Sequence, residues 1–112
     1  MWSVLHRLRR MLTSGGVVVA HNTAFDLTHL KGVLEIYGLA SVEFDYVCSL
    51  RVSRELLPDL ESHSLDAVAA HFGHKFHHHD ALEDAIACAT IIRHLGIPEN
   101  SIRRFDYCSA SI

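Results

Sequence analysis

The alternation of apolar and polar positions along the chain predicts an α/β order of elements. Residues 17–21 form a β-branched run typical of a buried strand, and residues 42–48 alternate with a period of two, which indicates a second strand. Helical spacing and cap residues predict helices over about 2–12, 24–37, 49–57, 64–73 and 81–95, and one more short helical turn over 101–107. This order of elements is typical of an α/β fold.

Two strands are too few to cover this many helices. We therefore expect either that a partner supplies further strands or that the chain lacks some of them. An open sheet edge would invite pairing between copies, so a homo-oligomer is one expected state.

Two acidic residues are candidates for a ligand site, each for its own reason. Asp26 follows the strand at 17–21, at the sheet edge where open α/β sheets bind ligands. Asp84 follows His79 by five positions and opens an apolar helix that we expect to be largely buried. No Lys or Arg follows Asp84 until Arg93, so a metal ion is a good candidate for its partner.

Composition excludes several classes of protein. Hydrophobic residues make up 49% of the chain and the mean hydropathy is +0.16, which argues against disorder. The net charge of −3 argues against a protein that coats phosphate backbones, although a metal site can supply positive charge for one nucleic-acid end. Three widely spaced cysteines form no disulfide framework, which indicates a reducing, cytoplasmic compartment. No apolar run reaches transmembrane length.

Three segments resemble the DEDDh branch of the DnaQ-like 3′-5′ exonucleases. They are His21-Asn22-x-x-Phe25-Asp26, Ser62-His63-Ser64-Leu65-Asp66 and His79-x-x-x-x-Asp84-Ala85. The resemblance implies a partial RNase H-like α/β fold over residues 1–97 that lacks the family's opening strands, with residues 98–112 as a C-terminal tail. It also implies a single-stranded DNA or RNA 3′ end as substrate and a DNA polymerase as a candidate partner.

The resemblance further implies a metal site. Members of the family bind two divalent ions, Mg²⁺ or Mn²⁺, and hydrolyse the terminal phosphodiester of a nucleic acid. Asp26 and Asp84 match metal ligands, and His79 matches the general base that takes a proton from the attacking water. Three further residues match family positions that lie beside the terminal nucleotide, namely His21, Asn22 and Phe25.

One family motif has no counterpart in these 112 residues. The family carries Asp-x-Glu on its opening strand, whereas the first acidic residue here is Asp26. Hard cations take about six oxygen ligands, so two carboxylates and a histidine suit one ion rather than a pair. We therefore expect this polypeptide alone to be inactive or very weak, whether it is a truncated product, has a misplaced start or is completed in trans.

Two other functions remain open. A degenerate, non-catalytic domain would bind nucleic acid or a polymerase-like partner without hydrolysis. A small metal-binding protein would instead use the histidine cluster, since zinc binds such groups readily, although no cysteine joins it. The members of that cluster are His71, His74, His77, His78 and His79.

Individual residues also have simpler interpretations. Asp26 has the spacing of a capping-box partner for Thr23, and Asp84 could serve only to favour the helix dipole. Phe25 could be a core residue. The arginines near the N-terminus could form a solvated helix face rather than a nucleic-acid patch.

Overall fold

The computed structural model describes residues 7, 10–37, 42–75 and 80–107. The strands are β1 (Val17–Ala20), β2 (Val42–Cys48) and β3 (Arg103–Tyr107). The helices are α1 (Thr23–Tyr37), α2 (Ser49–Leu56), α3 (Leu65–His71) and α4 (Ala81–Leu95), and a 3₁₀ turn spans Glu99–Ser101. Residue 7 and residues 10–12 are helical, and the rest of the helix expected over 2–12 lies outside the described residues.

The described strands form one mixed sheet in the order β1-β2-β3. β1 runs parallel to β2, with Val17 opposite Asp45 and Ala20 opposite Cys48. β2 runs antiparallel to β3, with Val42 opposite Tyr107. The architecture is α/β and consistent with a partial RNase H-like exonuclease fold, as the sequence predicted.

The helical turn expected over 101–107 was wrong, because most of this segment is β3. Phe105 and Tyr107 alternate with polar residues, which is the period of a strand. The Phe105 ring stacks on Phe44 with centroids 4.8 Å apart. Arg104 adds hydrogen bonds to Glu43 at 3.1 Å and Asp45 at 3.0 Å. Pairing with β2 therefore decides the conformation of this segment.

The core lies on both faces of the sheet. α1 covers one face, where the buried residues are Leu34, Val42, Phe44 and Tyr107. On the other face, Val47 and Val52 pack against Ile92 of α4. A third cluster joins α3 to α4 through Val68, Ala69, Ala87 and Ile91. These contacts fix α1 and α4 at the carboxyl end of β1.

The expectation that α4 is largely buried was wrong for its first two turns. Its packing residues include Ala87, Cys88 and Ile91, but Leu82 is 69% exposed and Ile86 is 46% exposed. The reason is that the buried residues of α4 begin only at Ala87, in the half of the helix that packs against its neighbours. No helix in the described part of the chain is long and apolar enough to cross a membrane.

Candidate active site

The turn between β1 and α1 sets the position of the first carboxylate. The chain leaves β1 after Ala20, and Asn22 takes the left-handed conformation with a φ of 68°. The N–H of Phe25 donates to the carbonyl of Asn22 at 3.2 Å, so α1 begins within this turn. Asp26 therefore lies in the first turn of α1, at the carboxyl end of β1.

The start of α4 sets the position of the second carboxylate. Asp80 is the N-cap, and its Oδ1 accepts from the N–H groups of Leu82 at 3.0 Å and Glu83 at 3.4 Å. Asp84 is therefore not the capping residue, and its half-buried side chain shares a helix face with the buried Cys88. The sequence does contain a signal for this cap, because Asp-x-x-Glu at 80–83 has the spacing of a capping box.

A cavity of about 650 Å³ lies between these two helix starts. The candidate residues that line it are His21, Asn22, Phe25, Asp26 and Asp84. The small side chains of Ala81 and Ala85 form part of the α4 wall and leave room for a ligand. His79, the candidate general base, lies outside the described residues. We call this space the acidic cavity, because one carboxylate from each of the two helices lines it.

The acidic cavity is open to solvent at Asp26, which is an exposed residue, and more enclosed at Asp84, which is half-buried. Partial burial still raises the pKa of Asp26, and the nearby His29 partly offsets that effect. Burial is also the main cause that raises the pKa of the Cys88 thiol, and the charge of Asp26 adds to it. A cation beside Asp26 would relieve this cost, since an opposite charge favours the ionised carboxylate.

His21 is held by hydrogen bonds at both ring nitrogens. Because a carbonyl can only accept, Nε2 carries the proton and donates to the His63 carbonyl at 2.7 Å. Nδ1 of the neutral ring then accepts from the Ser49 hydroxyl at 2.7 Å. The Ser49 oxygen is in turn 3.2 Å from the Cys88 sulfur. This network ties β1 to α2, α4 and the turn before α3.

The network leaves His21 few polar atoms for a ligand. Its imidazole lines the acidic cavity, so its contribution there is shape and position. Burial is the largest cause that lowers the pKa of His21, against the hydrogen bond to His63, and the charges of Arg54 and His63 lower it further. The sequence placed His21 at the site but contained no signal for the Ser49 contact.

Phe25 is not a core residue. Its side chain is 62% exposed at the edge of the acidic cavity, and its ring centroid lies 4.4 Å from that of His29. An exposed aromatic ring beside a cavity offers a flat apolar surface on which a base or sugar can pack.

Two carboxylates suit a single hard cation. Mg²⁺ is commonly bound through one or two carboxylates, with waters and substrate phosphate oxygens completing its ligands. Among the described residues, no group of three or more His, Cys, Asp or Glu side chains is placed to hold a metal ion. Asp26 and Asp84 alone are thus too few protein ligands for a pair of ions, which would need further ligands.

Comparisons with known proteins give the family of this chain. DNA polymerase III PolC-type of Caldanaerobacter subterraneus subsp. tengcongensis is 44% identical over 78 residues, which are 69% of this chain and 6% of that protein. The PolC-type polymerase of Lacticaseibacillus paracasei is 32% identical over 87 residues, or 77% of this chain and 6% of the relative. No solved structure matches the chain. Residues 2–92 match the RNase T family of exonucleases, and the chain belongs to that family.

Proposed function

We propose that this chain contributes the catalytic site of a metal-dependent 3′-5′ exonuclease that shortens a nucleic-acid strand from its 3′ end. The observation that carries the proposal is that Asp26 of α1 and Asp84 of α4 line one cavity at the end of β1. Membership of the exonuclease family supports the reaction class.

The two carboxylates and His79 divide the chemical work. Asp26 and Asp84 would hold a Mg²⁺ or Mn²⁺ ion, which would supply an activated water and neutralise charge on the phosphodiester. His79 accepts the proton of the attacking water at a ring nitrogen, as the general base of the reaction.

Three further residues position the substrate. The Phe25 ring packs on the terminal sugar or base, because it is exposed at the cavity edge. Asn22 offers its side-chain amide to the terminal nucleotide from the turn above the cavity. His21 maintains the shape of the turn through Ser49 and His63.

We take single-stranded DNA as the substrate, with RNA as the alternative, and a DNA polymerase as the partner. The relatives carry the name DNA polymerase III, and this chain spans about 6% of their length. Because the family's Asp-x-Glu has no counterpart in these 112 residues, we expect only slow hydrolysis by this chain alone, so that release is measured at high protein concentration.

The test measures Mn²⁺-dependent release of mononucleotides as the stepwise shortening of a 5′-labelled single strand, together with Mn²⁺ binding by calorimetry. Asp26→Asn and Asp84→Asn should each weaken Mn²⁺ binding at least about tenfold, because each removes a charged ligand. His79→Gln should abolish release and leave Mn²⁺ binding nearly unchanged. A parallel RNA strand distinguishes the two substrates.

Asp80→Asn is the matched control. It removes one carboxylate four positions before Asp84, while Asn remains a good N-cap for α4. Equal loss of Mn²⁺ binding in Asp80→Asn and Asp84→Asn would contradict the proposal. Strand binding without any release at high protein concentration would instead favour a non-catalytic nucleic-acid-binding domain.

A further inference from the structure

A second cavity, of about 370 Å³, lies beyond the turn that borders the acidic cavity. It opens between the start of α1, the length of α2 and the segment that leads into β3. Three of its lining residues are arginines, Arg51 and Arg54 of α2 and Arg103 of β3. We call this space the arginine pocket. Asn22 lines both cavities, so the two spaces are neighbours.

The arginine pocket carries a local excess of positive charge. One acidic residue, Glu55, lines it against the three arginines. In the parts of the chain that the structure describes, the ion pairs of arginine with carboxylate belong to Arg104, which contacts Glu43 and Asp45 outside the pocket. The guanidinium groups of the pocket therefore keep their charge available, since no carboxylate among those residues neutralises them.

The backbone adds to this charge. Both α1 and α2 begin at the pocket, with Thr23 and Leu50 among its lining residues, and helix starts present N–H groups and a partial positive charge. Cys48 lies between them. Burial acts to raise the pKa of its thiol, but hydrogen bonds from Thr23, Arg51 and Asn22 lower it overall. The surroundings of Cys48 thus favour a negative charge.

We propose that the arginine pocket binds a phosphate group. Guanidinium forks match the oxygens of phosphate in pairs, and Arg51, Arg54 and Arg103 approach from two elements. Two sources share this chemistry, the backbone of a single strand and the phosphate of a free nucleoside monophosphate. Phosphate binding at this site does not depend on the proposed hydrolysis, whereas the choice between the two sources rests on it.

The position beside Asn22 favours a strand over a free nucleotide. A strand whose end enters the acidic cavity has further phosphates within a short distance, and the neighbouring pocket is the positively charged surface next to it. Charge from Arg54 already acts on His21, a residue of the acidic cavity, so the two sites lie close in electrostatic terms.

The experiment titrates the full chain, without metal, with three probes: inorganic phosphate, thymidine monophosphate and a single strand of ten thymidines. Backbone NMR shifts should move at residues 22–24 and 50–51 with every probe, and the strand should bind most tightly. Monophosphate binding at least as tight as strand binding would assign the pocket to the free nucleotide. Shifts scattered over the surface, or confined to Asp84 and its neighbours, would overturn the proposal.

Variants test the arginines directly. Arg51→Gln/Arg54→Gln should weaken phosphate binding about tenfold or more, because hydrogen bonds to charged groups are strong. The same change should reduce the salt dependence of strand binding by about 0.7 in the log–log slope for each phosphate that the protein no longer neutralises. Arg93→Gln, an exposed arginine of α4 outside the pocket, is the control with half that charge change.

A lysine variant separates folding from recognition. Arg51→Lys/Arg54→Lys keeps the charge and the aliphatic part of each side chain, so the fold and the salt dependence should persist while affinity falls, because lysine cannot form the paired hydrogen bonds. Unchanged affinity in the Gln pair, with a native circular-dichroism spectrum, would contradict the proposal. That result would leave hydrolysis at Asp26 and Asp84 untouched, so the two proposals fail separately.

Discussion

Two cavities meet at the turn between β1 and α1, and they carry side chains of opposite charge. The acidic cavity takes Asp26 and Asp84 from α1 and α4, whereas the arginine pocket takes its charge from α2 and β3. Asn22 lines both cavities. The net charge of −3 conceals this separation, because it averages over the whole chain.

The two cavities differ in what they need in order to bind a negatively charged strand. Carboxylates alone repel phosphate, so the acidic cavity needs a cation before a strand end can enter it. The arginine pocket needs none. We therefore expect metal to control binding at one cavity and salt concentration to control binding at the other.

The largest expected effect is on the free energy of unfolding, and it comes from removing a packing residue of α4, the helix that lines only the acidic cavity. Ile91 of α4 is fully buried against α3, whereas the arginine pocket includes no residue of α4. Ile91→Ala should lower the free energy of unfolding by about 2–5 kcal/mol, measured by urea unfolding. Under native conditions it should weaken Mn²⁺ binding more than phosphate binding.

Ile86→Ala is the matched control, because it makes the same change on the exposed side of the same helix. Its effect on the free energy of unfolding should stay within about 0.5 kcal/mol. If both variants lost the same stability, the packing of α4 described above would be wrong.

A smaller effect should appear at the edge of the acidic cavity. Phe25→Ala should weaken binding of a thymidine strand by about 1–3 kcal/mol, the range for one stacked base, and leave binding of inorganic phosphate unchanged. Its exposed ring contributes little to stability. Calorimetry with both probes checks this, and Leu82→Ala is the control because Leu82 is similarly exposed but lines neither cavity. An equal loss in both variants would remove Phe25 from the substrate path.

The comparison also shows what the sequence could predict. The acidic cavity was predictable because Asp26 and Asp84 each sit at the start of a helix with a recognisable apolar pattern, next to a motif of the family. The arginine pocket could not be predicted from the sequence. Arg51 and Arg103 are 52 positions apart, and the pairing of β2 with β3 brings them to the same pocket.

Strand β3 is an example of a part of the fold that the sequence alone could not predict. Phe105 and Tyr107 give only two apolar positions, too few to distinguish a strand from a helical turn, and contact with Phe44 decides between them. Long, periodic elements such as α1 and β2 were predicted nearly to the residue, because each carries its own pattern.

The turn shared by the cavities offers a test of their common wall. Asn22 has a φ of 68°, where most side chains are strained and glycine is not. Asn22→Ala should cost about 1 kcal/mol of stability and weaken both Mn²⁺ and phosphate binding. Asn22→Gly should keep most of the stability, so comparing the two by urea unfolding separates backbone strain from loss of the amide. Weaker binding at only one cavity would show that the wall is not shared.

The smallest effect concerns pH, and its sign follows from His21. In the folded chain burial, Arg54 and His63 hold the pKa of this imidazole below its ordinary 6.5. Above pH 6.5 both folded and unfolded states are neutral at this position, so it contributes nothing to pH dependence. As the pH falls through 6.5 the unfolded chain takes up the proton first, and stability declines until the folded pKa is reached.

Urea unfolding at pH 7.5 and 5.5 should therefore show a greater loss on acidification for the native chain than for His21→Gln. If His21→Gln lost as much stability on acidification as the native chain, burial and the charge of Arg54 would not be holding the ring neutral, and the position of His21 described above would be wrong.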